Sequence, residues 1–354
     1  MTVRYGIIGS GMMGQEHIRN LRAIDGTAVT AVSDPDDDMR RKAAVAAGGA
    51  ASFATHDDLL NSGLVDALVI ASPNHTHAAI LTDVLHSDLP ILVEKPLCTT
   101  SADCRMIRRH VAGRTAPVWV AMEYRYMPPV ARLIEEVRKG TAGRPHMVAI
   151  REHRFPFLPK VGNWNRFSRN TGGTLVEKCC HFFDLMRLIL SAEPSRIYAS
   201  GGQDVNHLDE DYGGERPDII DNAFVVVDFD NGSRAMLDLC MFAEASRDQE
   251  EIAVTGDLGK IECGIPSSSF IIGKRAPVHR MGTSLPLQRE TIAVDPSLLE
   301  LGDHHGATYY QHRRFLDMIR GRGRPEVTVE DGSRAVAMGE AAERSIREGR
   351  PVNL

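Results

Sequence analysis

The chain reads as an α/β protein in two parts, a doubly wound parallel sheet followed by an α+β domain with a large open antiparallel sheet. Three observations predict this. Apolar strands alternate with helical stretches through residue 123. A glycine-rich turn joins the first strand to the first helix. After residue 124 the pattern changes to a strong amphipathic helix and then to strands with short turns.

The first strand is Tyr5-Gly6-Ile7-Ile8, and it runs directly into Gly9-Ser10-Gly11-Met12-Met13-Gly14. Here the spacing G-x-G-x-x-G sits between a strand and a helix predicted over 13–24, the one context that gives it meaning. The first glycine makes the tight turn, the second lets backbone approach a pyrophosphate, and the third lets helix and strand pack closely. The free N–H groups at the helix start then face that pyrophosphate. A second strand over 28–32 ends in Ser33-Asp34, about twenty residues beyond the loop, where a carboxylate accepts hydrogen bonds from a ribose 2′-OH. These features predict a Rossmann dinucleotide site. The carboxylate would repel a 2′-phosphate, so NAD is favoured over NADP. Arg40 and Arg41 either reach toward such a phosphate or lie on a solvated face of the next helix, over 39–47; the second reading is the plainer one.

Strands over 67–71, 90–93 and 118–122 continue the alternation, with helices over 77–85 and 101–112 between them. The run at 90–93 is apolar throughout, as in a parallel sheet covered on both faces. A helix over 130–139 and a strand over 147–154 follow. A loop with Trp164 leads to the amphipathic helix, over 175–190. Strands are predicted over 196–201, 223–229, 233–240, 250–254, 260–263 and 270–273, with Asp230-Asn231-Gly232 marking a hairpin. Two helices close the chain, over 307–320 and 333–348, each followed by a glycine stop at Gly321 and Gly349. The expected domains are therefore 1–123 and 124–354, the last helices being able to pack back on the first domain.

Composition narrows the function classes. Hydrophobic content of 43% with 25% charged residues is that of a soluble globular protein. A net charge of -6 gives no electrostatic reason to expect nucleic acid or an anionic membrane. No apolar run approaches a membrane span, and the first strand begins so early that no signal peptide is expected. The six cysteines (Cys98, Cys104, Cys179, Cys180, Cys240, Cys263) lack C-x-x-C spacing and read as cytoplasmic thiols. No zinc constellation is present: H-E-x-x-H is missing, and His75 and His77 are two residues apart in a loop.

Ligands of an open α/β sheet bind beyond the carboxyl ends of its strands. Two ends carry polar clusters: Ser72-Pro73-Asn74-His75-Thr76-His77 and Glu94-Lys95-Pro96. An ammonium at Lys95 can orient a substrate hydroxyl and stabilise a developing alkoxide; the competing reading is a surface lysine paired with Glu94. In the second half, Gly172-Gly173 precedes a helix with Glu177 and His181 at i and i+4, followed by Asp184. A histidine one turn from a carboxylate can act as general base for an alcohol proton, or it can simply cap or pack in the core.

The glycine loop 9–14, the Ser72-Pro73-Asn74 turn, Glu94-Lys95-Pro96 and the Gly172-Gly173…His181…Asp184 helix together resemble the Gfo/Idh/MocA oxidoreductases. The resemblance covers nearly the whole chain, including Phe315-Leu316, the run from Val327 to Gly332, Ser345 and Gly349-Arg350-Pro351-Val352. It implies an NAD(P) domain and a C-terminal α+β domain whose open sheet forms a homodimer or homotetramer interface. It implies sugars, inositols or their derivatives as substrates, with Lys95 assisting catalysis, His181 as the acid/base and no metal. Gly9–Gly14, Asp34, Ser72, Pro73, Asn74, His77, Glu94 and Lys95 would bind the cofactor. Arg125, His153, Trp164, Glu177, His181 and Lys95 would meet substrate. Glu177 replaces the aspartate usual in the family, and Lys178, Cys179 and Cys180 replace small residues. His304, His305 and Tyr309 either begin a helix that closes over the substrate or form a surface group. The reaction implied is hydride transfer from a secondary alcohol to NAD. A redox-assisted glycosidase and a non-catalytic sensor of NAD or sugar are the alternatives, and the joint presence of Lys95 and His181 speaks against the sensor.

Overall fold

The computed structural model describes residues 2–276 and 285–354. Two compact units emerge. One comprises Met1–Glu123, Arg169–Gly172 and Pro296–Ala337; the other comprises Tyr124–Ser168, Gly173–Asp295 and Met338–Leu354. The stretch 124–354 is thus not a single body, because its 296–337 segment belongs to the first unit. There Phe315 is fully buried edge-on to Trp119, at 6.0 Å between centroids, and Val120 donates its N–H to the Val327 carbonyl at 3.1 Å. That segment covers an edge strand that would otherwise expose unpaired backbone.

The sheet of the first unit contains β1 (Val3–Ile8), β2 (Thr27–Ser33), β3 (Ala51–Phe53), β4 (Ala67–Ile70), β5 (Ile91–Glu94) and β6 (Val118–Ala121). All run parallel, in the order 3-2-1-4-5-6. The order reverses between β1 and β4, so the carboxyl ends of those two strands define the switch point. The helices Asp37–Ala46, His56–Asn61 and Ser101–Val111 are capped by the side chains of Asp36, Thr55 and Thr100. The first helix, Met12–Arg22, starts at Gly11 with no side-chain cap, which leaves its N–H groups facing outward. The sequence reading did not anticipate β3 or the helix His56–Asn61. A three-residue edge strand has no periodicity to read.

Among the described residues the second unit holds nine strands: β7 (Pro145–His153), β8 (Pro194–Gly202), β9 (Asn222–Phe229), β10 (Arg234–Cys240), β11 (Glu250–Gly256), β12 (Gly259–Ile265), β13 (Ser269–Lys274), β14 (Leu287–Thr291) and β15 (Val352–Asn353). Their order is 14-13-12-11-7-10-9-8-15. The sheet is mixed rather than antiparallel, because β7 and β10 pair in parallel. Hairpin signals report only strands adjacent in sequence, whereas β7 enters the middle of the sheet beside strands formed much later in the chain. Helices Pro128–Arg138 and Cys180–Leu190 pack on β12 and β7. Strand alternation buries Val148, Ile150 and Glu152 on one face of β7 and leaves Met147 and Arg151 exposed on the other.

The helix expected over 175–190 is divided. Thr174–Glu177 and Cys180–Leu190 are separate segments, joined through Lys178 and Cys179 with ψ of -3° at Cys179. Both Phe182 and Phe183 donate to the Cys179 carbonyl, so the second segment starts afresh there. Glu177 and His181 consequently sit on different segments, and helical periodicity alone does not place them on one face.

Candidate active site

In the first unit the glycine loop has the geometry its spacing requires. Gly9 has φ of +94°, and a Cβ there would lie 2.5 Å from Ser72 N. A Cβ at Gly14 would lie 2.1 Å from the Gly9 carbonyl oxygen, so this glycine lets the helix close onto the turn. At Gly11 an added Cβ would meet nothing within 4 Å, which is the room a pyrophosphate needs. Ser10 Oγ and Asn74 Nδ2 are buried with no hydrogen-bond partner among the described residues. Buried polar atoms of this kind on the two loops at the switch point fit a polar ligand there. Gly9, Ser10, Gly11, Met12, Met13 and Gly14 thus present the backbone that a dinucleotide needs.

Asp34 lies at the end of β2. Its Oδ2 accepts the Ser10 N–H at 2.7 Å and its Oδ1 the Asp36 N–H at 2.9 Å. A carboxylate has about four acceptor sites, so both oxygens retain capacity for ribose hydroxyls. Arg40 folds back to the Asp34 carbonyl at 2.7 Å, and Arg41 pairs with Asp37 and Asp38 on the exposed helix face. Neither arginine is arranged around a phosphate position.

Ser72 accepts from Thr76 Oγ1 at 2.7 Å, while Pro73 leads into the turn at Asn74. His77 is fully buried; its Nδ1 lies 2.8 Å from the Pro96 carbonyl and its Nε2 3.1 Å from the Ser72 carbonyl. Burial favours the neutral ring, so one nitrogen donates its N–H to one of these carbonyls while the ring lies between the two loops. The ring of His77 is thus engaged with the backbone of both loops. Glu94 is also turned into the protein: Oε1 meets His17 Nε2 at 2.9 Å and Oε2 accepts the Lys95 N–H at 3.2 Å. Burial pushes Glu94 up, but His17 and neighbouring cations outweigh this and hold it below the usual carboxylate value. Its work is to hold the backbone that carries Lys95, which is half-buried at the end of β5.

Behind this end lies a cluster missing from the sequence reading. His17 Nδ1 meets His312 Nε2 at 2.8 Å, and burial holds His312 well below its ordinary value. His304 Nδ1 meets Glu16 Oε1 at 2.8 Å, with Thr308 donating to the same oxygen. Burial lowers His304, yet Glu16 outweighs it and lifts the imidazole to about 9. Glu123, 3.7 Å from His304, is raised to about 7 by burial and the Glu94 charge. His304 therefore belongs to this interior group, while Tyr309 stacks edge-on with Tyr310. The spacing of His17 three residues past Gly14 was the available signal.

In the second unit, His181 is buried at the start of the helix Cys180–Leu190, and the Tyr124 ring lies flat on its imidazole. Glu177 is buried and 3.4 Å from Lys160 Nζ, which sits 4.6 Å from the centre of the Trp164 ring. Trp164, Lys160 and Glu177 are thus brought together. Arg125 is gripped bidentately by Asp184, with both residues buried. Its guanidinium anchors the helix to the chain entering the unit, a more structural placement than the resemblance implied.

His153 lies on the opposite face of β7 from Glu152, with Nε2 3.1 Å from Asp238 Oδ1. The pleat sends its neighbour Glu152 inward to meet Lys178 Nζ at 2.7 Å. Glu250, directly opposite Glu152 on β11, is raised to about 7 by burial and by the Glu152 charge. Glu152 and Glu250 escaped the sequence reading, since nothing local says which face of a strand is inside, and Lys178 was singled out there only as a departure from a small residue. Among the described residues no group of three or more His, Cys, Asp or Glu side chains could hold a metal ion. No helix there is long and apolar enough to cross a membrane.

Comparison with known proteins agrees with the two-part fold. Residues 3–122 match the Gfo/Idh/MocA family description "Oxidoreductase family, NAD-binding Rossmann fold", and residues 134–354 match "Oxidoreductase family, C-terminal alpha/beta domain". The chain belongs to the Gfo/Idh/MocA oxidoreductases. It is an NAD-dependent dehydrogenase acting on CH–OH groups. A myo-inositol 2-dehydrogenase of Thermotoga maritima is 27% identical over 352 residues, 99% of this chain and 98% of that one. Inositol 2-dehydrogenase 1 of Saccharopolyspora erythraea is 28% identical over 279 residues, 77% of each chain. A levoglucosan dehydrogenase solved with NADH and levoglucosan shares the fold, with a TM-score of 0.85 at 18% identity over 100% of this chain and 99% of that one.

Proposed function

We propose that the protein oxidises a secondary alcohol of a cyclic polyol or sugar to a ketone. Two observations, each within one unit, support this reading: a lysine at the β5 end held by the buried Glu94–His17 bond in the first unit, and a buried histidine stacked on Tyr124 in the second. The relatives named inositol 2-dehydrogenase support the substrate class. NAD, when bound, accepts the hydride. Gly9–Gly14 and the uncapped start of the first helix hold the pyrophosphate, and Asp34 accepts the ribose hydroxyls. His181 takes the hydroxyl proton. Lys95 stabilises the negative charge that develops on oxygen. Glu177, steadied by Lys160, accepts a hydrogen bond from a neighbouring ring hydroxyl, and Trp164 offers an apolar face to the ring.

We further propose that the protein is a homo-oligomer through the open face of its nine-stranded sheet. Tyr198, Val226 and Met236 stand opposite one another across β8, β9 and β10, all exposed, with Phe224 exposed one pleat further on. Such a row of apolar side chains marks a contact surface.

The test is NADH formation followed at 340 nm across inositols, pyranoses, glycosides and anhydro-sugars. Turnover with one polyol class is expected, and His181→Ala and Lys95→Ala should each lower kcat by about 10²–10⁴-fold while leaving NAD affinity within a few-fold. Wild-type turnover in either variant removes that residue from the mechanism.

A further inference from the structure

Lys178 is only 5% exposed. An ammonium taken out of water needs good partners to be tolerated. Lys178 has two, both in the second unit. Nζ lies 2.7 Å from Glu152 Oε1 and donates to Tyr124 Oη at 2.6 Å. Tyr124 Oη in turn donates to Glu250 Oε1 at 3.1 Å. Nζ is 4.9 Å from the centre of the Tyr124 ring while within hydrogen-bond distance of its hydroxyl, so it meets the ring at its hydroxyl edge.

The flat side of the same ring carries His181. The two centroids are 4.1 Å apart and the planes differ by 4°. Phe182 closes the Tyr124 edge at 5.7 Å. With its hydroxyl held at both ends, Tyr124 cannot tilt, and an imidazole stacked on it cannot turn without losing the contact. The nearby ammonium also disfavours a second positive charge, and by binding the hydroxyl oxygen it draws electron density from the ring that faces the imidazole.

We propose that Lys178 is a positioning residue for His181: through Tyr124 it fixes the plane of the imidazole and opposes its protonation. The proposal rests on the reading of His181 as the acid/base group. Within the unit the other charged groups around this stack are Glu152 with Arg154 from β7 and its end, Glu250 from β11, the Arg125–Asp184 pair, and Glu177 with Lys160. Lys178→Met removes the cation and leaves Glu152 in place, so His181 should protonate more readily. Tyr124→Phe keeps the stack but cuts the link.

The test measures kcat against pH and titrates the His181 imidazole by NMR in the full-length protein without substrate, its signal assigned by its loss in His181→Gln. In Lys178→Met the acid limb of kcat and the His181 titration should both move up by about one pH unit, with kcat at neutral pH down about tenfold and KM within a few-fold. Tyr124→Phe should move both in the same direction by less, and Lys178→Arg should restore the limb. If Lys178→Met does not fold, Tyr124→Phe carries the test. An unmoved limb and an unmoved titration in the folded variants overturn the proposal. Wild-type turnover in His181→Gln instead overturns the acid/base reading, and the NMR titration then still decides whether Lys178 and His181 are coupled.

Discussion

Each unit buries a glutamic acid that desolvation and a neighbouring carboxylate push up to about 7, Glu123 beside Glu94 in the first and Glu250 beside Glu152 in the second. The balancing cations differ. In the first unit it is His304, whose half-buried imidazole is lifted to about 9 by Glu16. In the second it is Lys178, locked between Glu152 and Tyr124. A histidine counter-charge disappears at moderately alkaline pH, whereas a lysine starts from an ordinary value of 10.5, which burial lowers at Lys178 and its carboxylate partners only partly restore. The network behind the Lys95 strand end is therefore balanced by a group that titrates near pH 9, and the network under His181 by an ammonium paired with Glu152.

The largest effect should come from breaking a buried ion pair beside the second network. Asp184→Ala removes the carboxylate that grips buried Arg125 and should cost about 3–5 kcal/mol, read as a lower urea midpoint. A loss below about 1 kcal/mol would show that the guanidinium finds water, and that this unit tolerates an uncompensated cation.

The next test addresses the histidine-balanced network. His304 has a folded value of about 9, above its ordinary 6.5, so its contribution is complete below pH 6.5 and is lost as pH rises toward 9. Burial raises Glu16, but the bonds from His304 and Thr308 outweigh it and bring it to about 2, below 4.5. Its contribution is complete above pH 4.5 and is lost as pH falls toward 2. Unfolding free energy should thus fall by on the order of 2 kcal/mol between pH 6.5 and 9, and Glu16→Gln should flatten that slope. Equal slopes in the two proteins, measured by thermal unfolding at matched ionic strength, would remove the Glu16–His304 pair from the account.

The smallest change in stability should accompany Phe224→Asp on the open sheet face, within about 0.5 kcal/mol for the isolated chain. Sedimentation should nonetheless report a smaller particle. An unchanged mass places the oligomer contact elsewhere.

What the residues determined by themselves was whatever depends on local backbone demands. The glycines at 9, 11 and 14, the helix start after them, Asp34 closing β2, the apolar strands β4 and β5, and the Asp230-Asn231-Gly232 hairpin are all short-range requirements, and each is met where its spacing placed it. The tertiary structure decided what depends on distant partners. The parallel pairing of β7 with β10 joins strands far apart in sequence. It also settled that Glu152 and not His153 faces inward, because alternation has two phases and only packing chooses one. His77 and Glu94 turned inward because their polar atoms found partners far away in sequence, the Pro96 carbonyl and His17 of the first helix. The bond from Lys178 to Tyr124 spans 54 residues, beyond the reach of any periodic signal.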